Sequence, residues 1–182
     1  WTSPRLGLEM PIVRYGTGGK PVLLLPTAQS DFLDCERFFL IKVLEKFLFE
    51  EKIQVFCINT INGMSWMNKK IGVKESARRQ ALYTGYVEQE VVSHIRREVG
   101  DPNARLVVTG ASFGASHSSN LFFRRPDMFD TLVAMSGFYD LSGAYLDGYM
   151  DENVYFNNPG SYVRGFDEAA AAQFRSEERS VG

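Results

Sequence analysis

Four short apolar runs constrain this chain more than any other feature. "KPVLLLPT" (20–27), "IQVFCIN" (53–59), "RLVVTG" (105–110) and "TLVAMSG" (131–137) are almost unbroken by polar side chains. A strand with one wet face alternates apolar and polar residues. A run without alternation suits a strand covered on both faces, as in a parallel sheet flanked by helices. The intervening segments supply the helices. Phe38, Ile41, Leu44, Phe47 and Leu48 recur at helical spacing and predict a helix to about residue 51. A longer helix is predicted over 74–98, with Ala77, Ala81, Val91, Val92 and Ile95 on its apolar side and Gly100 as its stop. A third helix opens near residue 112 and ends before Pro126. "LGLEMPIVRYG" (6–16) reads as one or two extended segments, with Pro11 marking an edge position, and "GTGG" (16–19) as a turn. The alternation predicts an α/β fold with a doubly wound, mostly parallel sheet in three α/β/α layers.

The pattern fades after residue 138, where aromatics and turn formers follow one another without a period. "DEAAAAQF" predicts a short helix, and "RSEERSVG" reads as an added tail. The expected organisation is a core over 1–166, incomplete at its C-terminal side, followed by a short helix and tail over 167–182. A chain of 182 residues is long enough for one domain with a substantial core.

Charge narrows the function classes. The net charge is −2, with no basic stripe, so neither a nucleic-acid partner nor a membrane partner is expected. No apolar run reaches the roughly 18 residues a membrane span needs. Cys35 and Cys57 have neither metal-ligand spacing nor the pattern of a disulfide framework, and they fit a reducing, cytoplasmic setting. The sequence leaves the oligomeric state open.

The third apolar run is followed directly by "GASFG", residues 110–114, which fits G-x-S-x-G. Between a strand and a helix this pattern makes a sharp corner that presents the serine above the sheet. Side chains two positions before or after it would collide with neighbouring backbone, hence the glycines. The helix N-terminus behind the serine offers free N–H groups that can stabilise an oxyanion. Ser112 is therefore the candidate nucleophile for acyl transfer. The N–H of Phe113 is the first candidate oxyanion donor, and the loop "PTAQSD" (26–31) supplies the second, Ala28 ahead of Thr27. The bland alternative is an ordinary strand-to-helix turn, with Asp31 or Asp34 as a cap. A dinucleotide-binding turn is the rival reading of the same letters. It would follow the first strand and be joined by a Tyr-x-x-x-Lys pair, and none of the eight tyrosines has a lysine four residues later.

A serine nucleophile needs a base, usually a histidine held by a carboxylate. The chain has two histidines. His94 lies on the long helix. His117 stands five residues past Ser112, and about 7.5 Å of helical rise argues against its reaching back to the hydroxyl. In this motif the acid and the histidine follow the serine in chain order. Asp140 is the only acid just past the fourth run, and a turn role competes for it. The simplest expectation is a chain that stops before the last strands and helix of its domain and is inactive for lack of the histidine. A pseudoenzyme is the alternative.

"SPRLG", "YGTGGKPVLLLPT", "SWMNKK", "TGASFGASH", "RRPDMFDTLVAMSGFYDL" and "YMDENVYFNNP" span about residues 3–160. Together they resemble the "putative esterase" group of the α/β-hydrolase fold. That group includes the esterase D and S-formylglutathione hydrolase-like branch, the feruloyl esterases and the mycolyltransferases. The resemblance implies a serine esterase acting on a small-molecule carboxylic ester, with no cofactor and no metal. It implies Ser112 as nucleophile and the 26–30 loop as oxyanion loop, with an acid and a histidine in a C-terminal segment. A non-catalytic binding protein on the same scaffold, or thioesterase or acyltransferase chemistry, are the alternatives. Trp66, with Asn68 and Lys69, falls in the loop after the second run, where it can line a substrate crevice or simply cover the sheet rim. Asp151, Glu152 and Asn153 read as turn and capping residues rather than a calcium loop. Arg78, Arg79, Arg96 and Arg97 read as one solvated helix face, and Arg124 and Arg125 as cations in a last helical turn.

Overall fold

A computed structural model describes residues 1–174; the tail read at 175–182 lies outside them. The extended segment at 6–16 becomes β1 Ile12–Tyr15, and the four apolar runs become strands at nearly their expected positions: β2 Lys20–Leu25, β3 Ile53–Ile58, β4 Leu106–Ala111 and β5 Phe129–Met135. Their order across the sheet is β1-β3-β2-β4-β5. β1 runs antiparallel to β3, and the other pairs are parallel. The chain leaves β2 in one direction to form β3 and later returns to place β4 on the other side. That reversal lies between β2 and β4, where Leu25 pairs with Gly110. Loops leaving the carboxyl ends of two such strands diverge and open a crevice between them.

The helices among the described residues are α1 Asp34–Arg37, α2 Leu40–Phe49, α3 Val73–Tyr86, α4 Val92–Val99, α5 Phe113–Arg124, α6 Glu152–Tyr155, α7 Pro159–Tyr162 and α8 Glu168–Ala172. Burial of both sheet faces explains the unalternating runs. Leu23, Leu25, Phe56, Ile58, Leu106 and Val108 pack with Tyr83, Tyr86, Val91, Ile95 and Leu121 in the larger core. Their neighbours Val22, Leu24, Val55 and Cys57 point the other way, against Leu40, Ile41, Leu44 and Leu48 of α2. The three α/β/α layers follow from this period of two. β5 is the sheet's edge among the described residues, and its Val133 and Met135 are exposed.

Two helices differ from the expectation. The predicted first helix is broken, because Phe39 adopts a left-handed φ of 58° between α1 and α2. The break turns Leu40, Ile41, Leu44 and Leu48 onto the sheet and leaves Phe38 and Phe47 exposed, so neither ring belongs to the packed face. The predicted long helix is present but carries a π turn at Val87–Val91 between α3 and α4. Glu88 of that turn is buried beside Arg124 and Arg125 of the α5 end, at 3.7 and 3.5 Å. Gly100 ends α4 with φ 73°, as its sequence position suggests. The short helix expected near 167 is α8, capped by the Asp167 carboxylate on the Ala170 N–H at 2.8 Å. No helix among the described residues is long and apolar enough to cross a membrane.

Candidate active site

The corner between β4 and α5 is built by three residues. Ser112 has φ 54° and ψ −120°, a conformation that L-residues rarely adopt. Its neighbours two positions away leave no room for a side chain. A Cβ on Gly110 would lie 2.5 Å from the Gly114 carbonyl carbon, and one on Gly114 would lie 2.4 Å from the Leu25 carbonyl oxygen. The two glycines let α5 fold back onto the end of β2, and the turn between them absorbs the strain. Ser112 donates its N–H to the Met135 carbonyl at 3.0 Å, which ties the corner to β5. Its side chain is half-buried and does not cap α5, and no described residue hydrogen-bonds its hydroxyl. The hydroxyl is thus held in a strained turn and left open to a group that enters the crevice.

The donors expected around it are sorted by the hydrogen bonds already made. Asp34 is buried, and its carboxylate accepts from the Thr27 N–H at 3.0 Å, the Thr27 hydroxyl at 3.1 Å and the Ser30 hydroxyl at 2.5 Å. The Thr27 amide is thereby consumed. The Ala28 amide has no protein acceptor among the described residues, and the Phe113 amide, first in α5, has none either. Ala28, Phe113 and Trp66 share one apolar cluster, completed by Leu141, Leu146 and Val154. The Phe113 ring stands edge-on to Phe138 at 4.6 Å and to Tyr145 at 5.4 Å, so its backbone is anchored by the ring. Sequence reasoning offered Asp34 only as a helix cap; its grip on the 27–30 loop depends on how the loop folds back.

His117 is fully occupied. Its Nε2 donates to the Asn62 Oδ1 at 2.8 Å, and its Nδ1 accepts from the Gln80 amide at 3.3 Å. The ring is buried, and desolvation lowers its pKa from 6.5 to about 4. It therefore holds the 62–66 segment, which carries Trp66, against α5 as a neutral imidazole. His94 lies on α4 with its ring 5.2 Å from that of Trp1. Neither histidine hydrogen-bonds Ser112. Asp140 is exposed and engaged locally, accepting from the Ser142 N–H at 2.9 Å and from the Asn158 amide at 3.3 Å. The Ser142 bonds hold its carboxyl below the usual carboxylate range. Asp151 caps α6 through the Val154 N–H at 2.8 Å, the capping role its position suggests. Asn68 accepts from the Lys70 N–H at 3.0 Å, and Lys69 is exposed.

The His117 environment has a consequence for stability. In the unfolded chain the imidazole takes up its proton near pH 6.5; in the folded chain it does so near 4. The unfolded state binds more protons between these values, so this contribution is complete above pH 6.5 and is lost as pH falls toward 4. From pH 7 to pH 5 the folded state is expected to lose about 2 kcal/mol through this group. Urea unfolding at the two pH values measures it, and His117→Gln is expected to flatten the difference. An equal loss in the variant would assign the pH dependence elsewhere.

A family model described as "Putative esterase" matches residues 64–176. No curated protein matches the chain by sequence. Among solved structures, the chain is similar to S-formylglutathione hydrolase from Staphylococcus aureus, at 16% identity and a TM-score of 0.66 over 95% of this chain and 72% of that one. It is similar to a ferulic acid esterase at 15% identity and a TM-score of 0.70, over the same shares. A fluorophosphonate-binding serine hydrolase of S. aureus, solved with substrate bound, gives 16% identity and a TM-score of 0.65, over 91% of this chain and 70% of that one. At these identities the likeness is one of fold, and the fold of the five-stranded core is that of an α/β-hydrolase.

Proposed function

The chain belongs to the putative esterase family, and from that premise we propose that it forms the core of a serine hydrolase that cleaves a small-molecule carboxylic ester through an acyl intermediate on Ser112. The observation that carries this reading is the strained Ser112 backbone between two glycines that admit no Cβ, with an unpartnered hydroxyl. A merely structural turn gains nothing from holding a serine where glycine fits better.

In this reading the Ser112 oxygen attacks the ester carbonyl and its proton passes to a general base. The oxyanion accepts hydrogen bonds from the Phe113 and Ala28 amides, preorganised by the Phe113 ring and by Asp34. The alcohol leaves with a proton, and water then releases the acyl group. Thr27 lines the cavity beside Gly110 and Ala111, while Trp66, buried in the apolar cluster with Phe113 and Ala28, backs the site rather than lining the approach. His117 is excluded as base because both its ring nitrogens bond Asn62 and Gln80 rather than Ser112, and burial opposes the protonation a base must undergo. Asp140 serves its local turn. No base is assigned among the described residues, and the chain spans 72% of the S-formylglutathione hydrolase it is similar to. Residues 1–166 are then the hydrolase core.

The same placement of the histidines favours a second reading, a non-catalytic binding protein on this scaffold. Fluorophosphonate labelling of a chain extended to the relatives' full length separates the two. The esterase reading expects one adduct, on Ser112. An extended, folded chain that takes no label would leave only the binding reading. The 182-residue chain itself is expected to hydrolyse a short acyl ester barely faster than the Ser112→Ala variant. Ready, Ser112-dependent turnover by it would reveal a base among the residues present.

A further inference from the structure

We propose that Cys35 and Cys57 are a peroxide-sensitive thiol pair that closes to a disulfide beside the 27–34 loop. The two sit 22 positions apart in sequence, on α1 and β3, and their sulfurs lie 3.1 Å from each other, both buried. A disulfide bond is about 2.05 Å long, so closure asks for a shift of about 1 Å shared between two side chains. Cys35 also lines a cavity of about 320 Å³ with Thr27, Asp34, Phe38, Gly110 and Met135, which gives a small oxidant a path to its sulfur.

The pair is chemically unequal. The hydrogen bond from Cys57 holds Cys35 below the usual thiol range, while the same bond together with burial pushes Cys57 up. The cavity is lined by Cys35 and not by Cys57, so Cys35 is the attacking partner and Cys57 the resolving one. The Cys35 thiol gives up its proton, the thiolate attacks one oxygen of hydrogen peroxide, the O–O bond breaks, and a sulfenic acid forms while the departing hydroxide takes up that proton as water. The Cys57 sulfur then displaces the hydroxyl from the Cys35 sulfur. An S–S bond forms, a second water leaves, and the two electrons given up by the thiols have reduced the peroxide. The new bond joins α1 to β3. Asp34, the residue before Cys35, grips the Thr27 N–H, so the loop carrying Ala28 becomes covalently braced from below. This inference stands whether or not Ser112 is a nucleophile.

The experiment uses the 182-residue chain, reduced, desalted and exposed to a few equivalents of hydrogen peroxide. Thiols are counted by alkylation after denaturation, and peptides are mapped by mass. Both thiols are expected to disappear together, to return with dithiothreitol, and to be found in one cross-linked peptide of a monomeric chain. The melting temperature of the oxidised form is expected to rise by about 5–10 °C, as closing a loop of this size restrains the unfolded state. Amide exchange at residues 27–30 is expected to slow. In Cys57→Ser, Cys35 is expected to stop at a sulfenic acid that dimedone traps, and in Cys35→Ser the remaining thiol is expected to react at least about tenfold more slowly. Both thiols still alkylatable after a large peroxide excess would overturn the proposal. So would a bond formed only between chains, or equal reactivity of the two single variants.

Discussion

Gly114→Ala is expected to destabilise the folded chain by about 3–4 kcal/mol, measured by urea unfolding at neutral pH. The new Cβ would stand 2.4 Å from the Leu25 carbonyl oxygen and 2.8 Å from that of Pro26. Both atoms are backbone, one ending a central strand and the other opening the loop that leads to Ala28. Neither can rotate away, so relief requires α5 to move off β2. That movement would open the packing of Leu121, buried on the same helix, against Leu25 and Leu23. Gly63 and Gly72 supply the control, since a Cβ at either meets nothing within 4 Å. Alanine at those sites is expected to change stability by no more than about 0.5 kcal/mol. If Gly114→Ala were as mild as Gly63→Ala, the close approach of helix to strand would not be what demands glycine in the motif.

The same corner shows how much of the site can be read without coordinates. Gly110, Ser112 and Gly114 are close in sequence, and the reason for each lies within a few residues of it, apart from the β2 carbonyls that crowd Gly114. The strands were legible because burial of both faces leaves its mark on consecutive residues, as in Val22, Leu23, Leu24 and Leu25. What was not legible depends on partners far along the chain. Asn62 and Gln80 meet His117 across 55 and 37 positions, and no local pattern marks either residue for that task. Cys35 and Cys57 come together only because α1 folds back over β3. The break at Phe39 was hidden for another reason. Phe38 and Phe47 fit the helical period of their neighbours, and period alone cannot tell which apolar residues a turn will send to the surface. Asp34 was visible as a cap, but its stronger role arises because the loop doubles back to bring Thr27 and Ser30 to its carboxylate.

Ser112→Gly and Ser112→Ala are expected to behave alike toward a fluorophosphonate and differently toward urea. Both remove the attacking oxygen, and in a chain extended to the relatives' length each is expected to lower labelling or turnover by about 10⁴-fold or more. Their stabilities separate because only glycine accepts φ 54° with ψ −120° without strain. That conformation costs a side-chain-bearing residue about 1–3 kcal/mol. The hydroxyl has no partner among the described residues, so losing it forfeits no hydrogen bond. Glycine also adds freedom to the unfolded chain, worth roughly 0.5–1 kcal/mol in the opposite sense. The net expectation is that Ser112→Gly is more stable than wild type by about 1 kcal/mol, while Ser112→Ala stays within about 0.5 kcal/mol of it. A protein that keeps serine where glycine would be more stable is holding strain for the sake of the hydroxyl. If Ser112→Gly proved no more stable than Ser112→Ala, the backbone at this corner would carry no strain, and the strongest physical reason for assigning the nucleophile to Ser112 would be gone.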